Sequence, residues 1–357
     1  MADGDGNPWH LPREVRGGDV RLGGTASPLS AEGKARLLRI VTRAPEAMVK
    51  VTGRARGGAT ALRAHLDYIT RGGRLALETG DGARITDRAG MRALEEDWVL
   101  ANAVEARGPA VPHAAQSVAL TLSMPPGTPA DLVEEAARAW AQETFGGTHD
   151  WAMARHDDRG HPHVHVTVRA VGRDGRRLAP GPADLRAWRE RFARELRERG
   201  VEAEATPRQV RGVTRKGRGA AVERIVERGG ESRVLRAEGE AMERSAISAD
   251  RSDARARVAV ERHEALRLAY LGHAEALERG DAGDRALARD VRRFVAEMPA
   301  PLTRVQARAA EVRRSRTVDG GVSRRQELDM GGRGQVQPEP SRCPVRALPP
   351  APTLSRK

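Results

Sequence analysis

A chain of 357 residues is long enough for one catalytic domain with a smaller helical region, or for two modest domains. With 62 Lys and Arg against 49 Asp and Glu, a formal charge of +13 and only 3% aromatic residues, its field suits a polyanion such as nucleic acid, and its core must be built from Ala, Val and Leu. The single Cys343 excludes a disulfide framework or a thiolate zinc site within one chain, and the lack of a signal-peptide core in Met1–Leu11 or of a membrane-length apolar run predicts a cytoplasmic protein without membrane insertion.

Residues 1–45 are rich in Gly, Asp and Arg and read as a flexible N-terminal arm, with only a short helical patch at Ala35–Val41. Order is expected from Pro45, beginning with an apolar strand, Ala47–Val51. Gly53, Gly57 and Gly58 make a basic turn into a helix that runs from Thr60, its N-cap, to Arg71 and ends at Gly72-Gly73. Another helix, Arg88–Glu105, closes at Gly108-Pro109, and the alternation over Ala115–Ser123 predicts a strand that stops at Pro125-Pro126-Gly127. Pro129 and Asp131 start a helix carrying Leu132, Val133, Ala136 and Trp140 as far as Gly146-Gly147.

A strand over His163–Val171, a D-G turn within Arg173–Arg176 and a periodic helix over Leu185–Arg199, with Leu185, Trp188, Phe192 and Leu196 on one face, complete this region. Hairpin-length links make the class α+β, a mainly antiparallel central sheet with flanking helices over residues 46–212. Beyond it, residues 213–298 read as a charged linker and helical region with two or three Ala/Arg/Glu helices, and 299–357 as a disordered basic tail rich in Pro and Gly.

Five of the ten histidines fall between His149 and His165. On a strand, His163 and His165 point to one face and can hold one cation together, while Val164, Val166 and Val168 face the core. A third ligand must come from elsewhere: a turn at Arg159-Gly160 could bring His156 or Asp158 alongside, His161 shares the pair's parity, and His156 is favoured. Neutral imidazoles leave the cation's charge uncancelled, which suits polarising a phosphate oxygen. His165-Val166-Thr167 also has the H-x-T form that two-histidine phosphoesterases use twice, but no second copy is present.

Of the two tyrosines, Tyr68 lies on a helix flanked by arginines, with small Ala64 and Ala61 at i−4 and i−7, so its ring can stand out over a cleft. A phenol with an ordinary pKa of about 10 needs a base or nearby positive charge to act as a nucleophile.

These pieces resemble the plasmid mobilisation relaxases of the MobA/VirD type, within the HUH endonuclease superfamily. The resemblance rests on H-L-x-Y-I-x-R-G-G around Tyr68, on S-M-P-x-G-T at Ser123–Thr128, and on H-x-D-x-x-H-P-H-V-H from His156 to His165, in that order. It implies that Tyr68 is the nucleophile, that Ser123 contacts DNA near the nick, and that Mg²⁺ or Mn²⁺ sits on His163, His165 and His156. Asp158 is then expected to orient a ligand histidine, and Arg63 and Arg71 to contact DNA.

The implied activity is nicking of single-stranded DNA at an origin of transfer through a 5′-phosphotyrosyl intermediate, initiating mobilisation with relaxosome accessory proteins. The basic tail would face a type IV secretion coupling protein or serve as an electrostatic DNA tether, and the protein would be exported with its DNA. A non-catalytic DNA-binding accessory protein with a structural metal is the competing reading. No G-x-x-x-x-G-K-[ST] helicase signature occurs in the sequence.

Overall fold

The computed structural model describes residues 29–108, 113–157, 160–213 and 254–302, together with scattered positions between 222 and 240. The chain divides into two compact units, and the one formed by residues 1–217 and 251–303 holds every element named below. In the other, the described positions within 218–250 are mostly helical.

Strands β1 (Met48–Arg54), β2 (Leu77–Thr79), β3 (Arg84–Ile85), β4 (Ser117–Ser123), β5 (Trp151–His156) and β6 (His163–Arg169) form one antiparallel sheet in the order β1-β4-β6-β5-β2-β3. The helices are α1 (Ala31–Val41), α2 (Gly58–Ile69), α3 (Arg88–Glu105), α4 (Ala130–Phe145), α5 (Pro182–Glu198), α6 (Ala254–Glu278) and α7 (Ala282–Ala296). The α+β class read from the sequence is the class observed.

Strand alternation assigns the two faces. Val164, Val166 and Val168 of β6 register with Leu122, Leu120 and Val118 of β4, and with Val133, Trp140 and Phe145 of α4 and Trp188, Phe192 and Leu196 of α5 they make the main core. The buried Trp140 indole donates to the Trp188 carbonyl over 3.0 Å, which satisfies its only polar atom. On the opposite face Ala152 and Ala154 of β5 are small enough to let α2 and α3 settle close, through Leu62, Leu66, Ile69 and Trp98. The central strand β6 is therefore covered on both sides, and every one of its residues is buried.

Several boundaries differ from expectation for local reasons. The N-cap of α2 is Gly57, at φ 129°, and not Thr60; a residue without Cβ enters the helix where the chain must turn sharply. The strand β1 runs on to Arg54 through a bulge between Val51 and Gly53. The strands β2, β3 and β5 were not anticipated: β2 and β3 are only three and two residues long, and β5 (Trp-Ala-Met-Ala-Arg-His) has no β-branched residue to announce it.

Residues 31–41 lie inside the segment expected to be a flexible arm, yet they form α1, with Leu37 and Ile40 fully buried. Ser30 caps this helix, accepting from the Gly33 amide. The partners of α1 are far away in sequence: Tyr270 of α6, and Leu287, Val291 and Phe294 of α7, share its core, and Lys34 pairs with Asp284 at 2.7 Å. A short amphipathic patch gives no sign of a partner some 250 residues on, so order begins before Pro45.

Glu204, only 2% exposed, ties α1 to the chain leaving the sheet region. It accepts from Arg39 Nε at 2.8 Å and from the Ala205 and Thr206 amides and the Thr206 hydroxyl, with Arg36 Nε 3.4 Å away. Burial alone would raise its pKa, but the hydrogen bond and charge of Arg39, together with Arg36 and Thr206, outweigh it and hold the carboxyl below the ordinary glutamate value. Because the folded pKa lies below the unfolded one, this stabilisation is complete above about 4.3 and fades as pH falls through the folded value. Glu204→Gln is expected to cost about 2 kcal/mol at neutral pH, seen as a lower thermal midpoint. The gap to wild type should hold above about 4.3 and close only as pH falls below that through the folded value; a gap independent of pH would show that the carboxylate charge does not hold α1.

Candidate active site

The hairpin β5–β6 builds the centre of the site. His163 and His165 project from one face of β6, and the antiparallel register sets His156 of β5 directly opposite His163. The β5–β6 hairpin thus sets His156 alongside the pair. All three side chains are buried, and one nitrogen from each comes within 4.8 Å of the other two.

Second partners orient the rings. The Nε2–H of His156 donates to the Ile69 carbonyl at 2.6 Å, leaving Nδ1 as its lone-pair nitrogen, and Arg71 Nη2 donates to that atom at 3.2 Å. The Nδ1–H of His163 donates to the His161 carbonyl at 3.2 Å, and His165 Nδ1 lies 3.3 Å from the Thr121 hydroxyl. Neutral imidazoles whose far nitrogens are held in this way are the donor set a divalent cation requires, so the triad fits one.

The Tyr68 helix lies over this cluster. Leu62, Leu66 and Ile69 bury one stripe of α2, which turns the Tyr68 ring outward, 47% exposed. Its centroid is 5.8 Å from that of His165 and 6.3 Å from that of His156. Just beyond the helix, Gly72 N–H donates to the Asp67 carbonyl and Arg71 N–H to the Tyr68 carbonyl, the paired bonds of a Schellman motif. Arg71 therefore holds the left-handed position where Gly is usual, at φ 55°, at a cost of about 1–2 kcal/mol. The turn aims its guanidinium at His156 and 5.8 Å from the Tyr68 ring centroid.

Sheet register extends the site sideways. One row across four strands reads Met48, Ser123, His163, His156, and the next Lys50, Thr121, His165, Ala154. Lys50 and Thr52 are exposed and Ser123 and Thr121 half-buried, so this face is open beside the triad. The Thr121 and Thr52 hydroxyls lie 3.4 Å apart.

Of the residues expected to act, Tyr68, Arg71, Ser123, His156, His163 and His165 come together. His161 is half-buried at the rim, its ring 5.3 Å from that of His163. Arg63 is not brought in: it pairs with Glu95 of α3 at 2.5 Å and 3.0 Å, about 140° around α2 from Tyr68. Asp158, expected to orient a ligand, lies outside the described residues, as does almost all of the tail. Sequence reasoning passed over Thr121, Thr167, His65 and Lys50, because they join the site only through cross-strand register or helix docking. The second tyrosine, Tyr270, is fully buried in α6 and donates to the Val210 carbonyl at 2.8 Å; burial pushes its phenol far above the ordinary range.

Comparison with known proteins accords with this geometry. The family described as relaxase, MobA/VirD2-like, nuclease domain, matches residues 71–201, which contain Ser123 and all three histidines. Over this region the chain is similar to the MobA/VirD-type relaxases. The chain is also similar to two proteins named T-DNA border endonuclease VirD2. That of Rhizobium radiobacter is 29% identical over 164 residues, or 42% of this chain and 38% of the relative. That of Agrobacterium fabrum (strain C58 / ATCC 33970) is 28% identical over 201 residues, or 52% of this chain and 44% of the relative. The chain thus spans about two-fifths of the length of these relatives. Among the described residues, no helix is long and apolar enough to cross a membrane.

Proposed function

We propose that this chain nicks one strand of DNA at an origin of transfer and retains the 5′ end on Tyr68. The observation that carries this reading is the placement of an exposed phenol on a buried-face helix, its ring 5.8 Å from the ring of His165. In the step, a Tyr68 Oη–P bond forms as the P–O3′ bond breaks. The phenolic proton is lost and the leaving oxygen gains one, so a phosphodiester is exchanged for a phosphodiester and the freed 3′-hydroxyl can reverse the cut.

The chain's own groups divide the work. Arg71 places a positive charge beside the ring, favouring the phenolate-like oxygen of the transition state. Lys50, Thr52, Thr121 and Ser123 offer a cation and hydroxyls to the backbone of a strand lying across the open face. Buried imidazoles held from behind by Ile69, His161 and Thr121 keep the ligand nitrogens converged without reorganisation. A Mg²⁺ or Mn²⁺ bound by His156, His163 and His165 would supply Lewis-acid polarisation of a phosphate oxygen.

The formal charge of +13 favours capture of the polyanion. The wider setting is proposed from the relatives, which are named for cutting T-DNA borders: initiation of transfer of a plasmid or integrative element, with relaxosome accessory proteins and a type IV coupling protein as partners.

The test uses single-stranded oligonucleotides tiling the DNA around the gene, labelled at the 3′ end and incubated with the full chain and Mn²⁺ or Mg²⁺. Label is expected to migrate with protein after denaturation, and a chelator should stop this with only moderate loss of stability. Label that never joins protein with any oligonucleotide, coupled to a large fall in thermal midpoint on chelation, would instead support a non-catalytic DNA-binding protein with a structural metal.

A further inference from the structure

His65 stands three residues before Tyr68 on α2, one turn away on the same side. Its Nε2 lies 2.8 Å from the hydroxyl of Thr167, a fully buried residue of β6 that shares a face with His163 and His165. We propose that the His65–Thr167 hydrogen bond positions the nucleophile, fixing α2 on the sheet so that Tyr68 stands over the histidine triad. The inference rests on Tyr68 being the attacking group.

The apolar contact of α2 with the sheet does not by itself set the helix's angle. Leu62, Leu66 and Ile69 rest on Ala152 and Ala154, a shallow alanine surface, and apolar burial is non-directional. Directional bonds must fix rotation and slide. Two of them bracket Tyr68: His65 to Thr167 one turn before it, and the Ile69 carbonyl to His156 one residue after it. The second runs through a residue of the triad itself; the first reaches the same strand as the other two.

Neither His65 nor Thr167 needs to touch the phosphate, so this is a positioning pair. Burial lowers the pKa of His65, which keeps the ring neutral and able to exchange one directional bond with a hydroxyl. Without that bond only the Ile69–His156 bond and the Arg63–Glu95 pair hold α2 against rolling on the alanines, and a displacement of the attacking oxygen by about 1 Å is enough to cost about 100-fold in rate.

The experiment compares His65→Ala, His65→Gln, Thr167→Val and the double variant His65→Ala/Thr167→Val in the full chain, with Tyr68→Phe alongside. Single-turnover nicking at saturating oligonucleotide is expected to fall about 100-fold in His65→Ala and in Thr167→Val. Oligonucleotide Kd and the Mn²⁺-induced thermal shift should stay near wild type. The double variant should be no slower than the slower single one, because both remove the same bond. Gln, which can place an amide nitrogen near the same hydroxyl, should restore much of the rate.

Should His65→Ala fail to fold, Thr167→Val keeps the side-chain shape and carries the test alone. Wild-type rates in both single variants, additive losses in the double, or losses confined to Kd would each overturn the positioning role while leaving Tyr68 as nucleophile. Persistence of the covalent adduct in Tyr68→Phe would overturn the nucleophile assignment itself.

Discussion

Tyr68→Phe is expected to abolish the denaturation-resistant protein–DNA adduct, lowering nicking by at least about 1,000-fold, while binding of the uncut oligonucleotide stays within about twofold. The substitution removes one oxygen and leaves the ring contacts with His165, His156 and Arg71 in place. What is lost is the atom that forms the new bond, an interaction made only in the transition state. The other phenol cannot replace it: Tyr270 is wholly buried against Val210, with its deprotonation made harder still by that burial. Adduct formation at the wild-type rate by the Phe variant would move the nucleophile to another residue.

The second large effect concerns His165→Ala. His165 occupies the middle of the site, its ring 4.4 Å from that of His156, 5.2 Å from His163 and 5.8 Å from Tyr68. Removing it leaves two imidazoles, too few for a tight site of this kind. In the wild type, Mn²⁺ at 100 times its Kd should raise stability by about 2.7 kcal/mol, measurable as a higher thermal midpoint. That rise should vanish in His165→Ala, and nicking should fall about 1,000-fold or more. A full metal-induced shift in the variant would mean that the cation binds elsewhere.

The site was legible to the extent that its chemistry is local in sequence. His163 and His165 share a face by strand parity alone, and the turn signal in the sequence between them and His156 was enough to suggest His156 at their side. Tyr68 could be singled out because small residues lie below it and arginines around it. What escaped reading depends on pairing between distant segments. Thr121 reaches His165 only because β4 pairs with β6 in one particular register, and Thr167 matters only because α2 lands on β6. Arg63 was misplaced because arginine-rich flanks do not reveal which arginine a buried carboxylate such as Glu95 will claim. The same limit accounts for α1, whose apolar stripe has meaning only with α6 and α7 present.

The proposed cation ligands and the proposed nucleophile come from very different chain distances. His156 and His163 are seven positions apart on one hairpin, whereas 87 residues separate Ile69 from His156. By loop-closure entropy, bringing the tyrosine helix in costs about 2 kcal/mol more than closing the hairpin. The ion-binding fragment therefore has low contact order and can assemble early in folding and survive late in unfolding. On the proposed chemistry, the hairpin that would hold the ion and the helix that would carry the nucleophile are separate parts of the chain, joined through the Ile69 carbonyl and the Arg71 guanidinium at His156.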